Sequence, residues 1–224
     1  VTTVLKLGGG AFDQVPFLAG RAEHEPHLCL VHGARPHIDR RMRAGGLRPR
    51  FESGRRITDA ATLACVVAGF EDAAVELSGL LRAAGLRPVS LSGGVFEADR
   101  SPVLGLVGVS ASAQTRPVER VWSSGGLPLV TPLARERDGG AVLNLNADDA
   151  AACLAAALGA DELCFVSDVA GVLDPAGAPL ATVAASAPPE SVAGGMLAQL
   201  EAAGAALAGG VADVRIGHAT SVRD

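Results

Sequence analysis

The chain has 224 residues, 49% of them hydrophobic, enough to bury a sizeable core as one large domain or two lobes. Its 19 basic and 24 acidic residues leave a net charge of −5 at pH 7, which gives no electrostatic footprint for nucleic acid or an anionic membrane and makes small-molecule chemistry the default. No apolar run approaches the roughly 20 residues of a membrane-spanning helix, the N-terminus lacks the charged start and hydrophobic stretch of a leader, and a cytoplasmic location is expected.

The first element is Thr3-Val4-Leu5-Lys6-Leu7, a short apolar run that stops at Gly8-Gly9-Gly10 and carries the single lysine of the chain. A buried strand that delivers a compact ammonium to bare backbone N–H groups is a phosphate-binding arrangement; a coding bias that turned every other lysine into arginine is the alternative. Leu28-Cys29-Leu30-Val31 is a second strand, broken by His32-Gly33. Ser53-Gly54-Arg55-Arg56-Ile57-Thr58-Asp59 sets two guanidiniums beside a helix N-cap, Thr58 or Asp59, as a grip for a carboxylate or as a solvated turn. Helical periodicity then runs from Ala60 to Ala84 and again from Ala147 to Leu158. Pro88-Val89-Ser90-Leu91, Leu127-Pro128-Leu129-Val130 and Leu163-Cys164-Phe165-Val166 are further strands, the first of them broken by Ser92-Gly93-Gly94.

Gly139-Gly140 and Asp174-Pro175-Ala176-Gly177 read as hairpin-like turns, and Ala187-Pro188-Pro189-Glu190 as a loop feeding a final helix. Asn144-Leu145-Asn146-Ala147-Asp148-Asp149 enters an Ala-rich helix whose dipole its carboxylates complement. Gly194-Gly195-Met196 precedes a helix with free N–H groups. Strand, loop and helix in alternation imply an α/β fold with a mainly parallel sheet covered on both faces and ligands at the carboxyl ends of its strands. The cut between lobes is expected near Leu158-Gly159-Ala160. Cys29, Cys65, Cys153 and Cys164 have no metal or redox spacing and read as buried small hydrophobes; His24, His27, His37 and His218 read as solvated or capping.

In order, Lys-x-Gly-Gly, His-Gly, Gly-x-Arg-Ile-Thr-Asp, Leu-Ser-Gly, Asn-x-Asn-Ala-Asp, Ser-Asp-Val-x-Gly-Val-Leu and Gly-Gly-Met give a pattern, from Val4 to about Ile216, that resembles the amino-acid kinase family and within it the acetylglutamate kinases. The resemblance implies a three-layer αβα sandwich with an N-terminal lobe, 1–158, for an acyl amino acid and phosphate, and a shortened C-terminal lobe, 159–224, for the nucleotide. It implies ATP-dependent phosphorylation of the γ-carboxylate of N-acetyl-L-glutamate in arginine biosynthesis, with Mg2+ bound mainly through the ATP phosphates and no metal ligand from the protein. Lys6 and Asp148 then serve catalysis; Arg56, Asn144, Gly33 and Ala34 face the substrate; Gly8, Gly9, Ser167, Asp168, Gly195, Met196 and Gln199 face phosphate and nucleotide.

The chain departs from that pattern at Gln199, where the family carries a lysine, at Gly33-Ala34-Arg35, where it carries a run of glycines, and in two shortened intervals, Lys6 to His32 and Leu173 to Gly194. Arg35 is expected to act in catalysis as the replacement cation, or else to point into solvent. A non-catalytic acyl-amino-acid sensor and a kinase of carrier-linked aminoadipate or glutamate are the alternative functions. The arginine-inhibited hexamers of the family use an extra N-terminal helix, so the resemblance implies a homodimer that free arginine does not inhibit.

Overall fold

The computed structural model describes residues 1–166, 169–190, 192–217 and 220–223. In chain order its strands and α-helices are β1 Thr2–Leu7, α1 Val15–Ala22, β2 His27–His32, α2 Arg35–Ala44, β3 Phe51–Glu52, β4 Arg55–Arg56, α3 Ala60–Ala83, β5 Pro88–Leu91, β6 Phe96–Arg100, β7 Gly108–Ala113, α4 Arg116–Ser123, β8 Leu127–Val130, β9 Leu133–Glu136, β10 Val142–Asn144, α5 Ala147–Leu158, β11 Glu162–Val166, β12 Thr182–Ala184, α6 Gly194–Ala208, β13 Asp213–Ile216 and β14 Thr220–Arg223. The main sheet has the order β12-β14-β13-β11-β1-β2-β8-β5 and is parallel except between β13 and β14. A smaller sheet, β10-β9-β6-β7, and the hairpin β3–β4 lie outside it.

Alternate residues of a strand point to opposite faces, and the central strands are apolar on both. Val4, Cys29, Val31, Leu163 and Phe165 pack into one apolar layer with Leu154 of α5 and Leu200 of α6. Their neighbours Leu5, Leu7, Leu28, Leu30, Cys164 and Val166 pack into another with Leu18, Ile38, Val66 and Phe70 of α1, α2 and α3. Helices therefore cover both faces, and the expected αβα sandwich is present.

The long helix α3 starts at Asp59, whose carboxylate accepts from the Thr62 amide at 2.8 Å; Thr58 is not the cap, since its hydroxyl donates to the Arg56 carbonyl. Val66, Phe70, Ala73, Leu77 and Leu81 form its buried stripe, and each large apolar side chain so buried contributes roughly 1.5–3 kcal/mol. Helix α5 is capped by Asn146, which accepts from the amides of Asp148 and Asp149, and ends at Gly159 in the left-handed region, φ 58°.

Two readings of the sequence need correction. His37 is neither solvated nor a cap: α2 turns it inward against Phe12, and its Nε2 lies 2.9 Å from Glu76 Oε2. Cys29 and Cys164 are buried, which raises the Cys29 thiol strongly and pushes Cys164 up to about 12, but Cys65 and Cys153 are only half-buried. His218 lies outside the described residues.

Helices α2 and α3 touch at Gly69, where an added Cβ meets the Ile38 backbone at 2.8 Å. Overpacking costs about 1–3 kcal/mol, more than the roughly 1 kcal/mol that alanine gains over glycine in a helix. Gly69→Ala is therefore expected to lower stability in urea unfolding by up to about 2 kcal/mol. Gly79→Ala in the same helix, where a Cβ meets nothing within 4 Å, is expected to raise it by about 0.5–1 kcal/mol. Equal shifts for the two variants contradict the close packing of α2 on α3.

Candidate active site

Lys6 shares a strand face with Val4, so it leaves β1 on the side covered by α5, at the carboxyl end of the strand. The Asn146 cap presents the first turn of α5 to the same place, and Lys6 Nζ meets Asp148 Oδ1 at 2.8 Å with both side chains about nine-tenths buried. Gln199 reaches the same oxygen from α6, its Nε2 donating at 3.4 Å. One carboxylate thus collects a cation from β1 and a neutral amide from α6.

Beside Lys6, the loops that follow β1 and β2 interlock. A Cβ on Gly9 lies 2.9 Å from the amide nitrogens of Ala34 and Arg35, and one on Gly33 lies 3.0 Å from the Gly9 nitrogen. Glycine is required there by backbone packed on backbone. The amides of Gly9, Gly10, Ala34 and Arg35 have no backbone acceptor among the described residues, and Ala34 caps α2 without a side-chain hydrogen bond. The Ala34 methyl, 2% exposed, packs into the apolar layer, so this departure from a glycine run costs the loop little. Behind the loop, His32 Nδ1 faces the Gly33 carbonyl at 3.4 Å and Nε2 faces Thr131 Oγ1 at 3.1 Å. The carbonyl can only accept, so Nδ1 carries the proton; burial lowers the ring pKa to about 4 and keeps it neutral.

The opposite wall comes from the β3–β4 hairpin. Ser53 and Gly54, with φ 46° and 76°, make its two-residue turn. Arg55 and Arg56 then point to opposite faces, so they do not grip one ligand together. Arg55 binds Asp149 through two bonds of 2.9 and 3.0 Å and reaches Glu201 at 3.2 Å, tying the hairpin to α5 and α6. Arg56 turns in, donates to Asp39 Oδ1 at 2.7 Å and lies 4.7 Å from the Phe51 ring centroid. Asn144, at the end of β10, donates to Thr58 Oγ1 at 3.2 Å. Asp39 and Phe51 carried no motif in the sequence, and Thr58 stood there only as a possible helix cap; the long-range fold brings them here.

These groups enclose a cleft of about 500 Å³ at the carboxyl ends of β1 and β2 that gathers Lys6, Gly8, Gly9, Gly33, Ala34, Arg35, Arg56, Asn144, Asp148, Gly195, Met196 and Gln199. Ser167 and Asp168 lie outside the described residues. The start of α6 closes the cleft: Gly194 has φ 59°, its cap residue Ala193 makes no side-chain bond, and a Cβ on Gly195 meets nothing within 4 Å. Open glycines, free amides and cations fit a polyphosphate. A second cleft of about 650 Å³, between α3 and the β9–β10 hairpin, is larger but mainly apolar, and of the motif residues it holds only the Ser92-Gly93-Gly94 loop.

Residues 1–218 match the model of the amino acid kinase family. The chain belongs to that family. It is 34% identical over 238 residues to the acetylglutamate kinase of Koribacter versatilis (strain Ellin345), a match covering 97% of this chain and 90% of that protein. It is 35% identical over 223 residues to the acetylglutamate kinase of Rubrobacter xylanophilus, covering 94% and 86%. Among solved structures, smu.665 from Streptococcus mutans UA159 has a TM-score of 0.86 at 26% identity, covering 99% of this chain and 98% of that one.

The His32 ring yields a pH test. The folded-state pKa of about 4 lies below the unfolded value near 6.5, so the unfolded chain takes up the proton first; the contribution is complete above 6.5 and is lost as pH falls toward 4. Between pH 7.5 and 4.5 the stability advantage of the natural protein over His32→Gln is expected to shrink by about 2–3 kcal/mol in denaturant titrations. A pH-independent difference contradicts the buried neutral imidazole.

Proposed function

We propose that the protein is an acetylglutamate kinase, which uses ATP to phosphorylate the γ-carboxylate of N-acetyl-L-glutamate in arginine biosynthesis. The observation that carries this reading is the largely buried Lys6–Asp148 pair beside loop amides that have no backbone acceptor among the described residues, in a single cleft, in a chain whose relatives carry that name. ATP supplies the phosphoryl group and, through its phosphates, the site for Mg2+; no group of three or more His, Cys, Asp or Glu among the described residues is arranged to hold a metal.

Phosphoryl transfer asks the protein for position and for stabilisation of spread negative charge, not for a base. The substrate γ-carboxylate is already ionised at neutral pH. One of its oxygens forms the bond to the terminal phosphorus as the bond to ADP breaks, giving an acyl phosphate. Lys6 neutralises the charge on the transferred group, and Asp148 fixes the ammonium in direction. The Gly8, Gly9 and Gly33 loops present amides to phosphate. Arg56, steadied by Asp39, and Asn144, steadied by Thr58, hold the α-carboxylate end of the substrate. Gly195, Met196 and Gln199 face the nucleotide. On this reading 1–158 serves the acyl amino acid, 159–224 serves ATP, and the protein acts in the cytoplasm as a homodimer.

Two variants test the assignment by coupled ADP release. Lys6→Arg replaces a point charge by a planar fork and is expected to lower kcat by about 10²- to 10³-fold; near-normal turnover removes Lys6 from the mechanism. Arg56→Ala is expected to raise the KM for N-acetylglutamate while leaving that for ATP nearly unchanged. If both KM values rise together, Arg56 supports the fold or the closure of the cleft instead.

A further inference from the structure

Four cations line the cleft, and three are already committed. Lys6 is paired with Asp148, Arg56 with Asp39, and Arg55 with Asp149 and Glu201. Arg35 is the exception: it is exposed, has no ion pair or side-chain hydrogen bond among the described residues, and meets only the Phe51 ring, 5.0 Å from its centroid.

Its place in the helix sharpens the anomaly. Arg35 is the first residue of α2, and that first turn holds no acidic side chain. A helix N-terminus carries partial positive charge, so a cation there is repelled by the dipole rather than held by it. Its own backbone amide lies against Gly9 with no acceptor among the described residues. A side-chain cation, a helix end and amides without a backbone acceptor therefore face one cleft, and no carboxylate among the described residues pairs with Arg35. Across it Gln199, 6% exposed, brings a donor to Asp148 but no charge.

Resting on the kinase reading, we propose that Arg35 binds the terminal phosphates of the nucleotide, and so is the second cation of phosphoryl transfer beside Lys6. The Phe51 stack holds the guanidinium at the mouth of the cleft without spending its hydrogen-bond donors, because a ring face takes up the charge through its quadrupole and accepts no guanidinium bond. A bidentate grip on phosphate oxygens then remains available.

The test is calorimetric titration of the full chain with ATP and, separately, with AMP, which lacks the outer phosphates. Arg35→Gln is expected to weaken ATP binding by about 10- to 100-fold, the worth of a charge-assisted contact, while AMP affinity stays within about twofold. Gln199→Lys adds a cation on the far wall. In the Arg35→Gln background it is expected to recover most of the lost ATP affinity, a non-additive result for two groups sharing one partner. Unchanged ATP binding by Arg35→Gln, equal weakening of ATP and AMP, or strict additivity with Gln199→Lys overturns the proposal. Coupled ADP release with N-acetylglutamate separates it from the reading beneath. Turnover by both the natural protein and Arg35→Gln at one rate keeps the kinase and removes Arg35. No turnover by the natural protein, with ATP-selective dependence on Arg35, removes the kinase and keeps the phosphate contact.

Discussion

The site depends on one ion pair whose partners lie far apart in the sequence. Lys6 and Asp148 meet only because β1 lies beside β11 and α5 starts over that edge. The pair is costly: taking two charges out of water consumes much of what their attraction returns, and removing one partner of such a buried pair costs about 3–5 kcal/mol. An apolar pair of the same volume fills the space more cheaply. What the ion pair supplies is direction, an ammonium held at the carboxyl end of a strand.

The same logic governs the hairpin. Two adjacent arginines on an extended strand cannot act together, and the structure uses them for different tasks: Arg55 fastens the hairpin to α5 and α6, and Arg56 faces the cleft under the control of Asp39. Gly54 completes the closure. With φ 76° and a notional Cβ 2.9 Å from the Gly194 carbonyl, it lets the hairpin tip rest on the first turn of α6. The hairpin that carries Arg56 and the start of α6 are thereby in contact.

Much of this was legible in the sequence, for a physical reason. The parallel strands 28–31, 127–130 and 163–166 appear as short apolar runs because helices cover both faces, and α5 ends where a left-handed glycine stops it. The smaller sheet was not legible. Phe96–Arg100 alternates buried and exposed residues over only five positions, and Gly108–Ala113 is built from small residues, so neither shows an apolar run. Helix α2 was hidden by its own charge, being arginine-rich around three buried side chains, His37, Ile38 and Met42. Lys6, Arg56, Asn144 and Asp148 could be singled out because motifs carry them; Asp39 could not, and Thr58 only as a possible cap, since each matters here through the partner the fold brings to it.

The glycines show how far a motif can be read from chemistry alone. Gly9 and Gly33 look like concessions to a phosphate, yet the nearest atoms to a Cβ at either position belong to the other loop. Their first requirement is that the turns after β1 and β2 stack backbone against backbone. With the turns locked in that way, the amides of Gly9, Gly10, Ala34 and Arg35 have no backbone acceptor among the described residues. Gly10 and Arg35 are exposed where they line the cleft, so donors without a backbone acceptor among the described residues are open to an external acceptor, water or an anion. Gly195 is the contrasting case. Nothing in the protein opposes a side chain there, so its bareness leaves room at the start of α6 for a ligand to approach the backbone.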